Sequence, residues 1–198
     1  MKIGVLALQG AFAEHIKILT DLHIDVVPIR LISDLDGIKA LIIPGGESTT
    51  MSKLLSNYRL MEPVRKRIKQ GMPVLGTCAG MILLAKKVTE TEVDPIGVMD
   101  IEIKRNAYGR QLDSFEADLP IPALGNKTFR GIFIRAPIVQ KVEPTVEVLC
   151  QVNKHAVAVK QGNMLACAFH PELTDDLRFH KYFLVLVTGD KSFAKGNH

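Results

Sequence analysis

Cysteine is scarce in this sequence, and the few cysteines that occur form no disulfide pattern. The 198 residues include three cysteines, at positions 78, 150 and 167, with no Cys-x-x-Cys motif among them. Chains stapled by disulfides usually carry an even number of cysteines at regular spacings. We therefore expect no disulfide bonds and predict a reducing compartment, the cytoplasm.

Motifs for phosphate and metal binding are also missing. Neither Gly-x-x-x-x-Gly-Lys-Ser/Thr nor Gly-x-Gly-x-x-Gly occurs, which argues against a phosphate held by a glycine-rich loop. The histidines and cysteines are not spaced as the ligands of a metal ion are. We therefore expect no metal site.

Long apolar runs and dense clusters of one charge are absent as well. The N-terminal stretch MKIGVLALQGAFAEH is apolar over about ten residues and ends in Glu14 and His15, so it suits a buried strand better than a signal peptide or a membrane span. The formal net charge is +4, and the densest basic group, Arg65 to Lys69, is short and interrupted by Ile68, which is typical of a solvated helix face. We predict that the chain binds neither membranes nor nucleic acid.

What the sequence does contain is a regular alternation of strand-like and helix-like segments. Lys2–Leu8 and Asp25–Ile29 are typical of short strands, and Ala11–Leu22 between them has apolar residues at helical spacing, which together indicate a βαβ unit. Further strands, covered on both faces, are predicted in KALIIPGG and MPVLG. Helices are predicted in STTMSKLLSN, with Ser48 or Thr49 as its N-cap, in RLMEPVRKRIKQG and in AGMILLAKK.

Beyond residue 90, short β-branched segments follow one another directly. The predicted strands are VMDIEIKR, TFRGIFIRA, EVLCQVN, HAVAVKQG and NMLACAFHP, with a hairpin turn over Lys160–Asn163 and a closing helix in DDLRFHKYFLVLVTG. The whole pattern predicts an α/β fold, a three-layer α/β/α sandwich with a mixed, mostly parallel sheet, in a single domain over residues 1–198. In such folds ligands bind at the carboxyl ends of the parallel strands.

Cys78 stands where one of these strands gives way to a helix. It is the central residue of Gly-Thr-Cys-Ala-Gly, between the apolar runs MPVLG and MILLA. A sharp strand-to-helix turn exposes its central side chain, and the N–H groups at the start of a helix stabilise a thiolate. A free cysteine taken alone is more often a small buried hydrophobic residue. The flanking Gly76 and Gly80 favour a nucleophile instead.

His170 is the histidine best placed to act as the base for such a nucleophile. It ends the apolar strand MLACAF and opens His-Pro-Glu-Leu. Pro171 keeps His170 extended, so Glu172 projects to the same side and can orient the imidazole, while the other ring nitrogen exchanges a proton with the thiol. Taken alone, this segment is more typical of a solvated turn. Its occurrence together with the Cys78 turn favours a Cys-His-Glu triad.

A glycine pair after the third strand supplies the remaining part of an acyl-transfer site. Gly45 and Gly46 let the backbone approach a ligand and leave N–H groups free, and Ala79 follows the nucleophile directly. We predict an oxyanion hole formed by the N–H groups of Gly46 and Ala79. A Gly-Gly pair taken alone is more typical of an ordinary turn.

Two other classes of function fit the same residues. A cysteine peptidase or a related cysteine hydrolase uses the same strand-to-helix turn, although its histidine is expected within a few tens of residues of the cysteine. A non-catalytic binding scaffold with an incidental thiol is the third interpretation.

Several long strings resemble a known family. Gly-x-Cys-x-Gly with His-Pro-Glu is similar to the class I, triad-type glutamine amidotransferases. More closely, LALQGAFAEH, LIIPGGESTTM, GMPVLGTCAGMILLA, RNAYGRQLDSFE, FIRAP and FHPELTDD resemble the glutaminase subunits of pyridoxal 5′-phosphate synthase, over nearly the whole chain. The resemblance implies a flavodoxin-like glutamine amidotransferase fold with no cofactor of its own.

The resemblance also assigns residue roles and a partner. It implies that Cys78, His170 and Glu172 hydrolyse L-glutamine to L-glutamate and ammonia. The substrate-binding positions that it implies are Gly46, Glu47, Ser48, Arg105, Ile134 and Arg135, with either arginine as the partner of the substrate carboxylate. The ammonia would pass to a (β/α)₈-barrel synthase subunit, and we expect Gln9 and Gly10 to contact that partner.

Overall fold

Twelve strands and five α-helices make up the part of the chain that the structure, a computed structural model, describes: residues 1–89, 92–105 and 114–194. The strands are β1 (Lys2–Leu6), β2 (Asp25–Ile29), β3 (Ala40–Ile43), β4 (Val74–Thr77), β5 (Ala85–Thr89), β6 (Met99–Lys104), β7 (Ser114–Leu119), β8 (Phe129–Ile134), β9 (Ile138–Val142), β10 (Glu147–Val152), β11 (His155–Gln161) and β12 (Met164–Cys167). The helices are α1 (Phe12–Asp21), α2 (Ser48–Asn57), α3 (Met61–Lys69), α4 (Ala79–Leu84) and α5 (Arg178–Thr188).

A seven-stranded mixed sheet forms the centre, in the order β10-β11-β12-β4-β3-β1-β2. The five strands from β12 to β2 are parallel, and β11 pairs antiparallel with both β12 and β10. Strands β3 and β4 are buried along their whole length, as strands with helices on both faces are. The predicted α/β/α sandwich with a mostly parallel sheet is confirmed.

The predicted antiparallel extension is correct at one edge of this sheet and wrong elsewhere. β10 and β11 extend the central sheet, and the hairpin turn before β12 contains Gly162 at a φ of 56°. The strands predicted in VMDIEIKR and TFRGIFIRA instead belong to two small sheets, β5-β6-β9 and β7-β8. Their partners β7 and β9 are absent from the sequence-based prediction, because neither is a continuous apolar run.

Two local predictions around the helices are also wrong. The N-cap of α2 is Glu47, whose carboxylate accepts hydrogen bonds from the N–H groups of Thr49 and Thr50, and not Ser48 or Thr49. Helix α4 ends at Leu84, and the residues predicted to continue it form β5, which pairs with β6 and places Lys87 3.0 Å from Glu102. Tertiary strand pairing here overrides the local preference for helix.

The carboxyl ends of three adjacent strands converge on one edge of the central sheet. β3 ends before the Pro44–Gly46 turn, β4 ends before Cys78, and β12 ends shortly before His170. Since β12, β4 and β3 are neighbours, residues from three distant parts of the chain meet at this edge. The strand order thus places the predicted site residues together.

Candidate active site

Cys78 occupies a strained turn between β4 and α4. Its φ of 49° and ψ of −104° lie outside the regions that a non-glycine residue ordinarily adopts, and such conformations concentrate at functional sites. The turn is tight because α4 presses on β3: a Cβ added at Gly80 would lie 2.0 Å from the Ile43 carbonyl oxygen. The side chain of Cys78 is 6% exposed and stands at the first turn of α4.

His170 and Glu172 form a buried hydrogen-bonded pair after β12. His170 Nδ1 and Glu172 Oε1 are 2.7 Å apart, and both residues are less than a tenth exposed. The contact is made through a 3₁₀ turn, Pro171–Leu173, and not through the extended segment expected from the proline. The backbone of His170 is held in addition by its N–H, which donates to the Ile132 carbonyl of β8 at 2.8 Å.

Cys78 and His170 meet beside Gly45. A Cβ placed on Gly45 would lie 2.3 Å from Cε1 of His170 and 3.3 Å from Cβ of Cys78, so only glycine leaves room for both side chains. Burial disfavours the imidazolium, but hydrogen bonds to Cys78 and Glu172 outweigh it and raise the pKa of His170 to about 10. The site therefore favours a protonated imidazole between two acceptors, as a proton donor to a leaving group requires.

The glycine turn is braced by the loop that follows β1. The N–H of Glu47 donates to Gln9 Oε1 at 2.8 Å, and the N–H of Ala11 donates to the Gly45 carbonyl at 2.9 Å. Gly10 has a φ of 96°, and a Cβ there would lie 1.9 Å from the Gly45 oxygen. Gln9 and Gly10, predicted to contact a partner, thus also support the turn that contains Gly46.

Glu47 and Arg105 form an ion pair at the start of α2. Arg105 also donates to Thr49 Oγ1 at 2.7 Å. Burial opposes ionisation of Glu47, but hydrogen bonds from Thr50 and Thr49 and the charge of Arg105 lower its pKa to about 2. Ser48, next in the chain, is 2% exposed, and its hydroxyl has no hydrogen-bond partner within the described part of the chain.

The segment after β8 closes the other side of the site. The Ile134 carbonyl oxygen lies 3.8 Å from Sγ of Cys78. Arg135 follows with a φ of 44°, a second left-handed non-glycine residue at this site, and its side chain is exposed. The structure therefore brings Ile134 to the thiol itself and Arg105 to the α2 end of the glycine turn. Positions 106–113, in the middle of RNAYGRQLDSFE, lie outside the described residues.

Two further histidines, to which the sequence analysis assigns no role, extend inward from Glu172. His15 of α1 and His180 of α5 are fully buried, with His15 Nδ1 2.9 Å from His180 Nε2. A signal for both was present: each falls on the apolar stripe of its helix, His15 between Phe12 and Leu19 and His180 before Phe183. A polar residue on such a stripe marks a buried polar contact.

This histidine pair predicts a loss of stability in mild acid. Burial lowers the pKa of His15 well below 6.5 and that of His180 to about 4, so the unfolded chain binds more protons as the pH falls from about 6.5. Stability should then fall by up to about 1.4 kcal/mol per pH unit for each of the two imidazoles. The pKa of His170 is raised and not lowered, so its imidazole is protonated in both the folded and the unfolded chain below pH 6.5. It therefore contributes nothing to the loss of stability there.

Urea unfolding at about pH 7 and about pH 5 measures this effect. His180→Leu, which cannot take up a proton, should flatten the dependence. An equal slope in His180→Leu and in the unmodified chain would contradict the prediction.

The described residues contain neither a candidate metal-binding cluster nor a helix that could span a membrane. In residues 1–89, 92–105 and 114–194, no three His, Cys, Asp or Glu side chains are grouped so that they could hold a metal ion. Within the same ranges, every helix is too short or too polar to cross a membrane.

The chain is similar to known proteins over most of its length. The model of the SNO glutamine amidotransferase family matches residues 5–188. Two relatives carry the name pyridoxal 5′-phosphate synthase subunit PdxT: one from Carboxydothermus hydrogenoformans, 55% identical over 94% of this chain and 98% of the relative, and one from Moorella thermoacetica, 53% identical over 94% and 100%.

Solved structures agree with this assignment. A crystal structure described as a glutamine amidotransferase superposes with a TM-score of 0.88 at 48% identity, covering 93% of this chain and 98% of that one. The PurLQS structure from Thermotoga maritima has a TM-score of 0.70 at 15% identity, covering 92% and 96%, a likeness of fold alone. The family match, the high identity and the shared fold agree: the chain belongs to the SNO glutamine amidotransferase family.

Proposed function

We propose that the chain is the glutaminase subunit of a pyridoxal 5′-phosphate synthase. It hydrolyses L-glutamine to L-glutamate and ammonia, and the ammonia passes to a (β/α)₈-barrel synthase subunit. The observation that carries the proposal is the Cys78–His170–Glu172 arrangement at the strand ends, with its 2.7 Å imidazole–carboxylate contact. The names of the relatives support the choice of synthase.

In the proposed reaction the Cys78 thiolate attacks the carboxamide carbon of glutamine. The C–S bond forms, the carbonyl π electrons move to oxygen, and the N–H groups of Gly46 and Ala79 bind this oxyanion. His170 gives its proton to the departing nitrogen, the C–N bond breaks, and ammonia leaves behind a thioester. Water, deprotonated by His170, then attacks the thioester, and glutamate and the thiolate are released.

Substrate binding is assigned to the residues around the glycine turn. We propose that Gly46, Glu47 and Ser48 line the glutamine site, with Ile134 on the opposite side of the thiol. Glu47 already neutralises Arg105, so the exposed Arg135 is the better partner for the substrate α-carboxylate. Arg105 then holds Glu47 and the turn in place.

Delivery to a partner has a chemical reason. Ammonia released into water at neutral pH is mostly protonated and is no longer a nucleophile, so a synthase subunit gains by receiving it directly. We propose that Gln9 and Gly10 lie at this contact, since they touch the glycine turn and Gly10 is exposed. The chain would act as one glutamine amidotransferase domain in the cytoplasm.

The test is glutamate production from L-glutamine by the purified chain, with and without the synthase subunit. We expect low turnover alone and a marked increase when the partner is present. A glutamine-mimicking electrophile should alkylate Cys78 and neither of the other cysteines, and mass spectrometry maps the labelled residue. Burial raises the pKa of Cys150 and, more strongly, that of Cys167, which disfavours the reactive thiolate at both. Cleavage of peptides without hydrolysis of glutamine would support the peptidase interpretation instead, and no turnover of either would support the scaffold.

A further inference from the structure

The carboxylate of Glu172 is held between two imidazoles. Its Oε1 contacts His170, and its Oε2 lies 3.4 Å from Nε2 of His15 in the protein interior, where both side chains are fully buried. At 3.4 Å this contact is long for a hydrogen bond, and Oε2 has no closer partner among the described residues. The reaction proposed above makes no use of His15.

The donors and acceptors around His15 and His180 indicate which ring nitrogen of His15 carries its proton. Burial lowers the pKa of His15 and of His180, so each ring is neutral and has a single N–H. With the proton on Nε2, His15 points an N–H at Glu172 and at Thr77 Oγ1, 3.3 Å away, and its Nδ1 accepts from Nε2–H of His180. His180 Nδ1, which is buried without a partner, is then only a bare lone pair.

The opposite assignment lets the Thr77 hydroxyl donate to Nε2 of His15, 3.3 Å away, but it is costlier at Glu172 and at His180. His15 would direct a lone pair at a carboxylate oxygen, and His180 would bury an N–H at Nδ1 with no acceptor within the described part of the chain. An unpaired buried N–H is rarer and more expensive than an unpaired acceptor. The geometry therefore favours a directed chain of N–H groups that runs from His180 through His15 to Glu172.

We propose that His15 is a positioning residue for glutamine hydrolysis: its Nε2–H fixes the Glu172 carboxylate so that Oε1 stays on Nδ1 of His170, and His180 fixes the tautomer of His15. This inference rests on the proposed glutaminase function. The groups that face His15 are His180 from α5, Thr77 from β4, and His170 and Glu172 from the segment after β12. Mutation of a group that orients a metal-ligating histidine commonly lowers metal affinity or activity by about 10- to 100-fold, and we expect an effect of the same size for a group that orients Glu172.

Three variants test the proposal in the complex with the synthase subunit. His15→Phe removes the N–H but keeps a ring, and should lower kcat by about 10- to 100-fold with KM within about twofold of the unmodified chain. His15→Gln places an amide N–H near the position of Nε2 and should recover most of the loss. Leu19→Ala is the control: it removes a buried side chain of α1, one helical turn after His15. It should lower the melting temperature while kcat is retained.

The ring nitrogens of the unmodified chain provide an independent readout. Nitrogen-15 NMR of labelled histidine at neutral pH should show His15 as the neutral Nε2–H tautomer. The proposal is overturned if His15 is the Nδ1–H tautomer, if His15→Phe keeps kcat within twofold, or if Leu19→Ala loses kcat as His15→Phe does. An unmodified complex that does not hydrolyse glutamine would instead refute the proposed function, which separates the two failures.

Discussion

Cys78→Ala should abolish glutamine hydrolysis, with kcat lowered by on the order of 10⁵-fold or more, while the fold is retained. The alanine has no atom that can form the thioester, and His170 cannot substitute for the missing nucleophile. The backbone at position 78 should keep its conformation, because the turn is imposed by the close packing of α4 on β3 at Gly80. Glutamate release in the presence of the synthase subunit measures the loss.

The control for this variant is Cys150→Ala. Cys150 lies on β10, at the outer edge of the central sheet, and is buried away from the strand ends that carry the site. Its replacement should leave kcat unchanged, and the melting temperature of Cys78→Ala should stay near that of the unmodified chain. If Cys78→Ala hydrolysed glutamine at a measurable fraction of the original rate, the nucleophile would have to be another group.

Glu172→Gln should be the second most damaging change, with kcat lowered by about 10⁴-fold and KM little altered. A carboxylate can accept hydrogen bonds at both oxygens: here Oε1 contacts Nδ1 of His170, and in the proposal above Oε2 faces the Nε2–H of His15 at 3.4 Å. An amide has one oxygen, so in either orientation its NH₂ group faces one of the two imidazoles and opposes the N–H placed there. Where it faces His170, the ring is held in the tautomer that cannot take the proton of the thiol.

Steady-state kinetics with the synthase subunit and an NMR titration of His170 both report on this variant. Loss of the neighbouring negative charge should lower the pKa of His170 from about 10, since a hydrogen bond to Glu172 contributes to that raised value. The matched control is Glu147→Gln, which removes an exposed carboxylate of β10 that pairs with Lys160 of β11. This variant should retain kcat. Full activity in Glu172→Gln would show that the carboxylate does not orient His170.

Two residues at the site have strained backbone conformations that the surrounding packing imposes. Cys78, which carries the thiol, and Arg135, which follows the Ile134 carbonyl that lies 3.8 Å from it, both have positive φ values. Such conformations cost of order 1–3 kcal/mol each and persist where the surrounding packing imposes them. At Cys78 the packing is visible in the 2.0 Å that a Cβ on Gly80 would leave to Ile43.

Patterns that extend over a few residues could be read from the sequence. The parallel strands, the turn at Gly-Thr-Cys-Ala-Gly and the pairing of a histidine with a glutamate two residues later all depend on neighbours along the chain. Even there the backbone conformation differs from the predicted one: His170 and Glu172 come into contact through a 3₁₀ turn and not along an extended segment. The N-cap of α2 was misassigned because Glu47 competes with two better capping residues beside it, and its ion pair with Arg105 is a contact across the fold.

By itself the sequence determined the alternating α/β pattern, the placement of a thiol at a strand-to-helix turn and the histidine most suited to serve it, because backbone preference and hydrophobic period act locally. Only the tertiary structure decided that β12 lies beside β4, that the segment predicted as the end of α4 becomes β5, and that His15 meets His180 across 165 positions of the chain. These contacts depend on which faces pack together after the chain has folded, and burial at those contacts lowers the pKa of His15 and of His180.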